Sequence, residues 1–127
     1  MIADLLEVSP EETKWLGSDK DLMPIGFQSQ WQEIQSKMSR HPDPAEAMRL
    51  IRLIRRREVL RIALADSAGL LDQEAIGAAL SDVDRAAVLG ALHVAEAQAG
   101  EPKTDVLVVA MGRQGGREIG YGSDADV

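Results

Sequence analysis

The sequence predicts a mainly α-helical chain, a bundle over residues 1–101, that gives way at 102–127 to the first strand and glycine turn of an α+β unit. Three observations carry this. Apolar residues recur at three- and four-residue spacing through the first hundred positions, the stripe of amphipathic helices. Proline pairs and glycine turns punctuate these stretches. The period then changes at Asp105-Val-Leu-Val-Val-Ala-Met111, a short run of mostly β-branched apolar residues bounded by polar and glycine signals.

The elements follow in order. Residues 2–8 form a short apolar turn, and Ser9-Pro10-Glu11-Glu12 restarts a helix with Ser9 as N-cap and Pro10 as first helical residue. Trp15 and Leu16 close its buried face, Gly17-Ser18-Asp19 ends it, and loop is expected as far as Pro24-Ile25-Gly26. Phe27, Trp31, Ile34 and Met38 mark the next helix, which His41-Pro42-Asp43-Pro44 breaks. Ala45 to about Ser67 is the longest helix. Apolar positions from Met48 to Leu64 cover much of its circumference, so it is expected to be central, with Gly69 as its stop. A shorter helix over 73–80 and another over 84–98, capped by Ser81-Asp82-Val83-Asp84, complete the helical part before Gly100-Glu101-Pro102.

Composition excludes several classes. At 127 residues the chain is long enough for one core, and its net charge of −7 argues against a general nucleic-acid binder. There is no cysteine, so no disulfide framework or thiolate metal site. No apolar run approaches the ~20 residues of a membrane span, and the N-terminus lacks the pattern of a signal peptide. A cytoplasmic protein with no membrane or nucleic-acid partner is the expectation.

The last seventeen residues, MGRQGGREIGYGSDADV, carry the chemistry. On a strand beginning at Asp124, alternate side chains share a face, so Asp124 and Asp126 project together. Two adjacent carboxylates repel unless a cation lies between them. Magnesium suits them, because it takes hard oxygen ligands, keeps waters and accepts nucleotide phosphates. Glycines at 112, 115 and 116 let backbone approach a phosphate, and Ser123 adds a hydroxyl. Arg113 and Arg117 lie inside the turn and are either phosphate ligands or surface charges. The pattern is neither a P-loop nor a dinucleotide fingerprint, since no Gly-Lys-Ser/Thr and no G-x-G-x-x-G before a helix occurs. Taken alone, Asp-x-Asp is also a common solvated turn. The parts together suggest phosphoryl or nucleotidyl transfer, with ATP and Mg2+ as substrate and cofactor.

From Gly112 through Asp126 the sequence resembles the signature of glutamine synthetase adenylyltransferases: Gly, a basic residue, any residue, Gly-Gly, any residue, Glu, Leu or Ile, then Ser-Asp-x-Asp. Arg55 to Leu71, Leu80 to Val83 and Leu5 to Glu11 are similar to the helical part preceding that motif. The resemblance implies a bifunctional enzyme with two nucleotidyltransferase domains of the DNA polymerase β-like type joined by helical segments. One half moves AMP from ATP onto a tyrosine of glutamine synthetase, and the other removes it by phosphorolysis under control of the PII signalling protein. Carried over, Asp124 and Asp126 match the metal-binding pair, and Gly112, Gly115, Gly116 and Ser123 match the nucleotide-approach turn. Gly120-Tyr121-Gly122-Ser123 is more similar to the second, adenylylating half than to the first. The superfamily completes its metal site with a third carboxylate on a later strand, which this sequence does not reach. The expectation is therefore a segment of a longer enzyme, inactive by itself, with 112–127 poorly ordered or paired as an exposed strand edge. The alternatives are the adenylyl-removing half, or a non-catalytic helical docking or spacer module.

Arg49, Arg52, Arg55, Arg56, Arg57 and Arg61 put a basic band on one helix. It reads either as a surface for an acidic partner or phosphates, or as intramolecular pairing with Glu46, Glu58, Asp66 and acids of neighbouring helices. His41 and His93 have no ligand partner at metal spacing, and Trp15, Phe27 and Trp31 read as core.

Overall fold

A computed structural model describes residues 18–101 and 103–127, so the expected helix at 9–16 and Trp15 lie outside the described residues. Among the described residues five helices follow one another: α1 (Asp19–Leu22), α2 (Gly26–Arg40), α3 (Pro44–Ser67), α4 (Gln73–Ala99) and α5 (Gly112–Gly115). Among the described residues there is no strand, and no helix is long and apolar enough to cross a membrane.

Local chemistry sets the ends of the long helices. Asp43 accepts the Glu46 N–H at 3.0 Å, with Pro44 as first residue of α3, where its missing donor is not needed. Asp72 accepts the Ala75 N–H at 2.7 Å and starts α4 in the same way. At the end of α3, Gly69 takes φ +74°, and the Gly69 and Leu70 N–H groups bond the carbonyls of Asp66 and Ala65. That is a Schellman closure, in which a left-handed residue satisfies the last carbonyls of the helix.

Packing confirms α3 as the central helix, in contact with α1, α2 and α4, while α2 also packs on α4. One apolar cluster joins Ile34 of α2, Ile51 and Ile54 of α3, and Ala86 and Val94 of α4, flanked by Phe27 and Trp31. A second joins Ile62 of α3 to Ile76, Ala79, Leu80 and Val83 of α4. A third seats Leu22 of α1 against Leu60, Leu64 and Ala65.

The arginine band is largely spent inside the molecule. Glu58 is only 1% exposed. Its carboxylate accepts from Arg57 Nε and Arg61 Nε, both at 2.8 Å. Arg57 also grips Glu33 of α2 with two bonds of 2.8 and 2.6 Å, and Arg61 donates to the carbonyl of Asp21. A buried carboxylate held this way ties α1 and α2 to α3, and removing one member would strand the others. Arg49 pairs with Glu46 and Arg55 with Asp84.

Three expectations are corrected. The stretch before Gly26 holds a short helix, α1, rather than loop throughout. The helices expected at 73–80 and 84–98 are one, because Ser81 Oγ donates to the Gly77 carbonyl at 2.8 Å within the helix instead of capping a new one. Residues 105–111 do not form a buried strand: Leu107 is 85% exposed. Between this run and 124–127, one backbone hydrogen bond is recorded among the described residues, from Met111 N–H to the Asp126 carbonyl at 2.9 Å. A strand is made by its ladder, and one rung does not make it. Within the tail, Ile119 is buried in the second cluster.

The Glu33–Arg57 pair has a pH signature. The hydrogen bond from Arg57 holds the Glu33 carboxyl below its ordinary value of 4.5, against the opposing effect of burial. A carboxyl lowered by folding contributes stability that is present above 4.5 and lost as pH falls through its lowered folded value. Urea midpoints measured on either side of pH 4.5 are expected to fall on the acid side, less steeply in Glu33→Gln than in the native chain.

Candidate functional site

The glycine segment folds as one helical turn with a defined stop. Gly112–Gly115 form α5, Gly116 is its C-cap, and Arg117 follows at φ +58°, a left-handed conformation usually left to glycine. Arg117 N–H bonds the Gln114 carbonyl at 3.2 Å, and Glu118 N–H bonds the Arg113 carbonyl at 2.8 Å. This is again a Schellman closure, here with an arginine in the glycine position.

That turn lies on α4. A Cβ on Gly77 would meet the Arg117 carbonyl oxygen at 3.0 Å and Glu118 Cα at 3.2 Å, so a side chain there would press on the turn's backbone, which glycine avoids. Ser81 sits one helical turn on. Its carbonyl accepts from Gln114 Nε2 at 3.0 Å, and its hydroxyl lies 3.5 Å from the Ile119 N–H. Arg117 reaches Asp82 with two bonds of 2.6 and 3.3 Å. Tyr121 donates its hydroxyl to Asp66 of α3 at 3.0 Å.

Asp126 lies at the other end of α5. The Asp126 carboxylate is pressed to Gly112: a Cβ there would come 2.9 Å from Oδ2, and Gly112 has φ +52°. Met111 N–H holds the Asp126 backbone in place. Both Asp124 and Asp126 are exposed. Ser123 Oγ accepts from Arg113 Nη1 at 3.1 Å and from the Gly120 N–H at 3.2 Å, so the residue before the pair is tied back to α5.

The expected site residues are thus brought together in part. Gly112 meets Asp126, and Arg113 meets Ser123. Arg113 and Gly116 line a groove of about 840 Å3 with Glu74 and Gly77 of α4. Ser123 and Asp124 instead line a separate shallow cleft of about 250 Å3 with Arg52, Arg55 and Asp84. Gly115 packs so tightly that a Cβ would lie 2.7 Å from the Ala110 carbonyl oxygen. Arg117 is engaged by Asp82. Among the described residues no three of His, Cys, Asp or Glu gather as a metal cluster.

Sequence reading missed Gly77, Ser81, Asp82, Asp66 and Gln114 as partners of the turn. Gly77 carried a signal, because a glycine inside a helical pattern costs about 1 kcal/mol against alanine and so points to a packing reason. Gln114 stands at a position where the motif accepts any residue, and nothing local marks it.

The family described as glutamate-ammonia ligase adenylyltransferase matches residues 1–127. A bifunctional glutamine synthetase adenylyltransferase/adenylyl-removing enzyme of Leifsonia xyli subsp. xyli is 36% identical over 129 residues, covering 99% of this chain. The protein of the same description from Cutibacterium acnes is 37% identical over 123 residues and 97% of the chain. That of Mycobacterium tuberculosis is 46% identical over 94 residues and 70% of the chain. The chain spans 13%, 12% and 9% of these relatives' own lengths. No solved structure matches it.

The chain has a single tyrosine, so the contact of Tyr121 with the helices can be read directly. Burial first, and then the bond to Asp66, push its phenol well above the ordinary 10.0. Titration followed by ultraviolet absorbance is expected above that value in the native chain and lower, though still raised by burial, in Asp66→Asn. A native phenol titrating at 10.0 would mean that the turn does not rest on α3.

Proposed function

The chain belongs to the glutamate-ammonia ligase adenylyltransferase family, and from that premise we propose that it is part of a longer enzyme that moves AMP from ATP onto a tyrosine of glutamine synthetase. In this reading residues 1–101 are the helical segment before a catalytic domain, and 102–127 open that domain, of the DNA polymerase β-like type. Gly120-Tyr121-Gly122-Ser123 favours the adenylylating half. The PII protein is the proposed regulatory partner, and the 127 residues alone are inactive.

The observation that carries the reading is the contact between the Asp126 carboxylate and the side-chain-free face of Gly112. It sets the exposed Asp126 carboxylate at the start of a glycine turn, two residues after the exposed Asp124, where backbone rather than side chain meets whatever Asp126 holds. The donor set fits magnesium, with oxygen ligands only and room for water and phosphate oxygens to complete the shell. Asp124 and Asp126 would hold the ion. When bound, it supplies neutralisation of the phosphate charge. The protein's own groups do the rest. Gly112 leaves space beside Asp126, Arg113 and Arg117 both line the turn's groove, and the Arg113–Ser123 bond ties the residue before the acidic pair back to α5. The acceptor tyrosine oxygen bonds the α-phosphorus, the α–β phosphate bond breaks, and pyrophosphate leaves as the phenolic proton is lost.

Label transfer from ATP to glutamine synthetase tests this in the full-length protein. The double variant Asp124→Asn with Asp126→Asn is expected to lose about a hundredfold or more of the rate, since amides cannot supply the charge that holds the cation. Undiminished transfer would place the chemistry elsewhere and leave the helical docking module as the reading.

A further inference from the structure

We propose that Asp82 of α4 is a positioning residue for nucleotidyl transfer, acting on the acidic pair through Arg117 and α5, an inference that rests on the reading above. Arg117 occupies a left-handed conformation at φ +58° although glycines stand at 115, 116, 120 and 122 around it. A non-glycine residue stays in that region only when its surroundings hold it there. Here the hold is the pair of hydrogen bonds that Arg117 donates to Asp82, at 2.6 and 3.3 Å, with the Arg117 carbonyl seated on Gly77 below.

The pair is poorly suited to a purely stabilising task. The Arg117 side chain is 51% exposed and that of Asp82 16%, and ion pairs so open to water contribute little to folding. What the fork geometry does supply is orientation. Arg117 closes the C-terminal end of α5, and the N-terminal end of the same four residues abuts the Asp126 carboxylate. Arg113, within α5, holds Ser123. A helix of one turn has little slack, so a shift at Arg117 is passed to Ser123 and Asp126. The Asp82 pair therefore sets where the acidic pair stands relative to the helical segment.

The competing role for Arg117 is that of a phosphate ligand. Asp82→Asn separates the two, because it releases Arg117 without removing it. In the full-length protein, kcat and KM for magnesium ATP would be measured for Asp82→Asn and for the exchanged pair, Asp82→Arg with Arg117→Asp, beside thermal unfolding. The expected result is a kcat lowered about tenfold in Asp82→Asn, from misplacement of the reacting geometry. KM and the thermal midpoint should stay nearly unmoved, and the exchanged pair should recover most of the lost rate. An unchanged kcat in Asp82→Asn, a change confined to KM, or no recovery in the exchanged pair would overturn the proposal. Transfer that survives Asp124→Asn with Asp126→Asn would instead overturn the transfer reading, and the proposal with it.

Discussion

The Arg117 carbonyl and the Glu118 Cα occupy the space in which a side chain at position 77 would stand, 3.0 and 3.2 Å from where its Cβ would be. The end of the glycine turn rests on that contact. Because Gly77 has no side chain, the end of the turn sits on the α4 backbone. Ile119 can then enter the cluster of Ile62, Ile76, Leu80 and Val83. Gln114 and Ile119 reach Ser81 only because the turn lies this low, and Asp82 and Asp66 then find Arg117 and Tyr121. A buried side chain such as Ile119 typically contributes about 1.5–3 kcal/mol. That makes apolar burial, not the exposed ion pair, the main attraction holding the turn. The polar contacts decide its orientation.

Charge is divided between two tasks. The molecule is acidic overall at −7, yet α3 carries a dense run of arginines. Arg57 and Arg61 are consumed around Glu58, whose buried carboxylate would be costly without them. Arg55 serves Asp84, and Arg117 serves Asp82. Among the described residues Arg113 donates to the neutral Ser123 hydroxyl rather than to a carboxylate. The helical part and the turn are one electrostatic design: acids of the helices hold arginines that keep the bundle and the turn together.

How much of this was legible follows from sequence distance. The α2 and α3 helices were readable because their signals are local: the stripe from Phe27 to Met38, the prolines at 42 and 44, and Gly69. The unity of α4 was not, because Ser81-Asp82 has the composition of a cap, and only the Gly77 carbonyl one turn earlier decides that Ser81 bonds inward. The run 105–111 has strand propensity, but a strand depends on a neighbour, and propensity carries no information about one. The acidic pair and glycines were readable as chemistry from spacing alone. Their support was not, since Arg117 and Tyr121 find partners 35 and 55 residues away.

The central claim is that α4 carries the glycine turn, and amide hydrogen exchange in Gly77→Ala tests it most directly. Global stability alone would mislead, because alanine is the better helix former by about 1 kcal/mol and offsets part of the clash. The account predicts faster exchange at the Arg117, Glu118 and Ile119 amides, with α2 and α3 as protected as in the native chain. Unchanged exchange at those three amides would contradict it, because the turn would then not depend on the bare backbone at position 77.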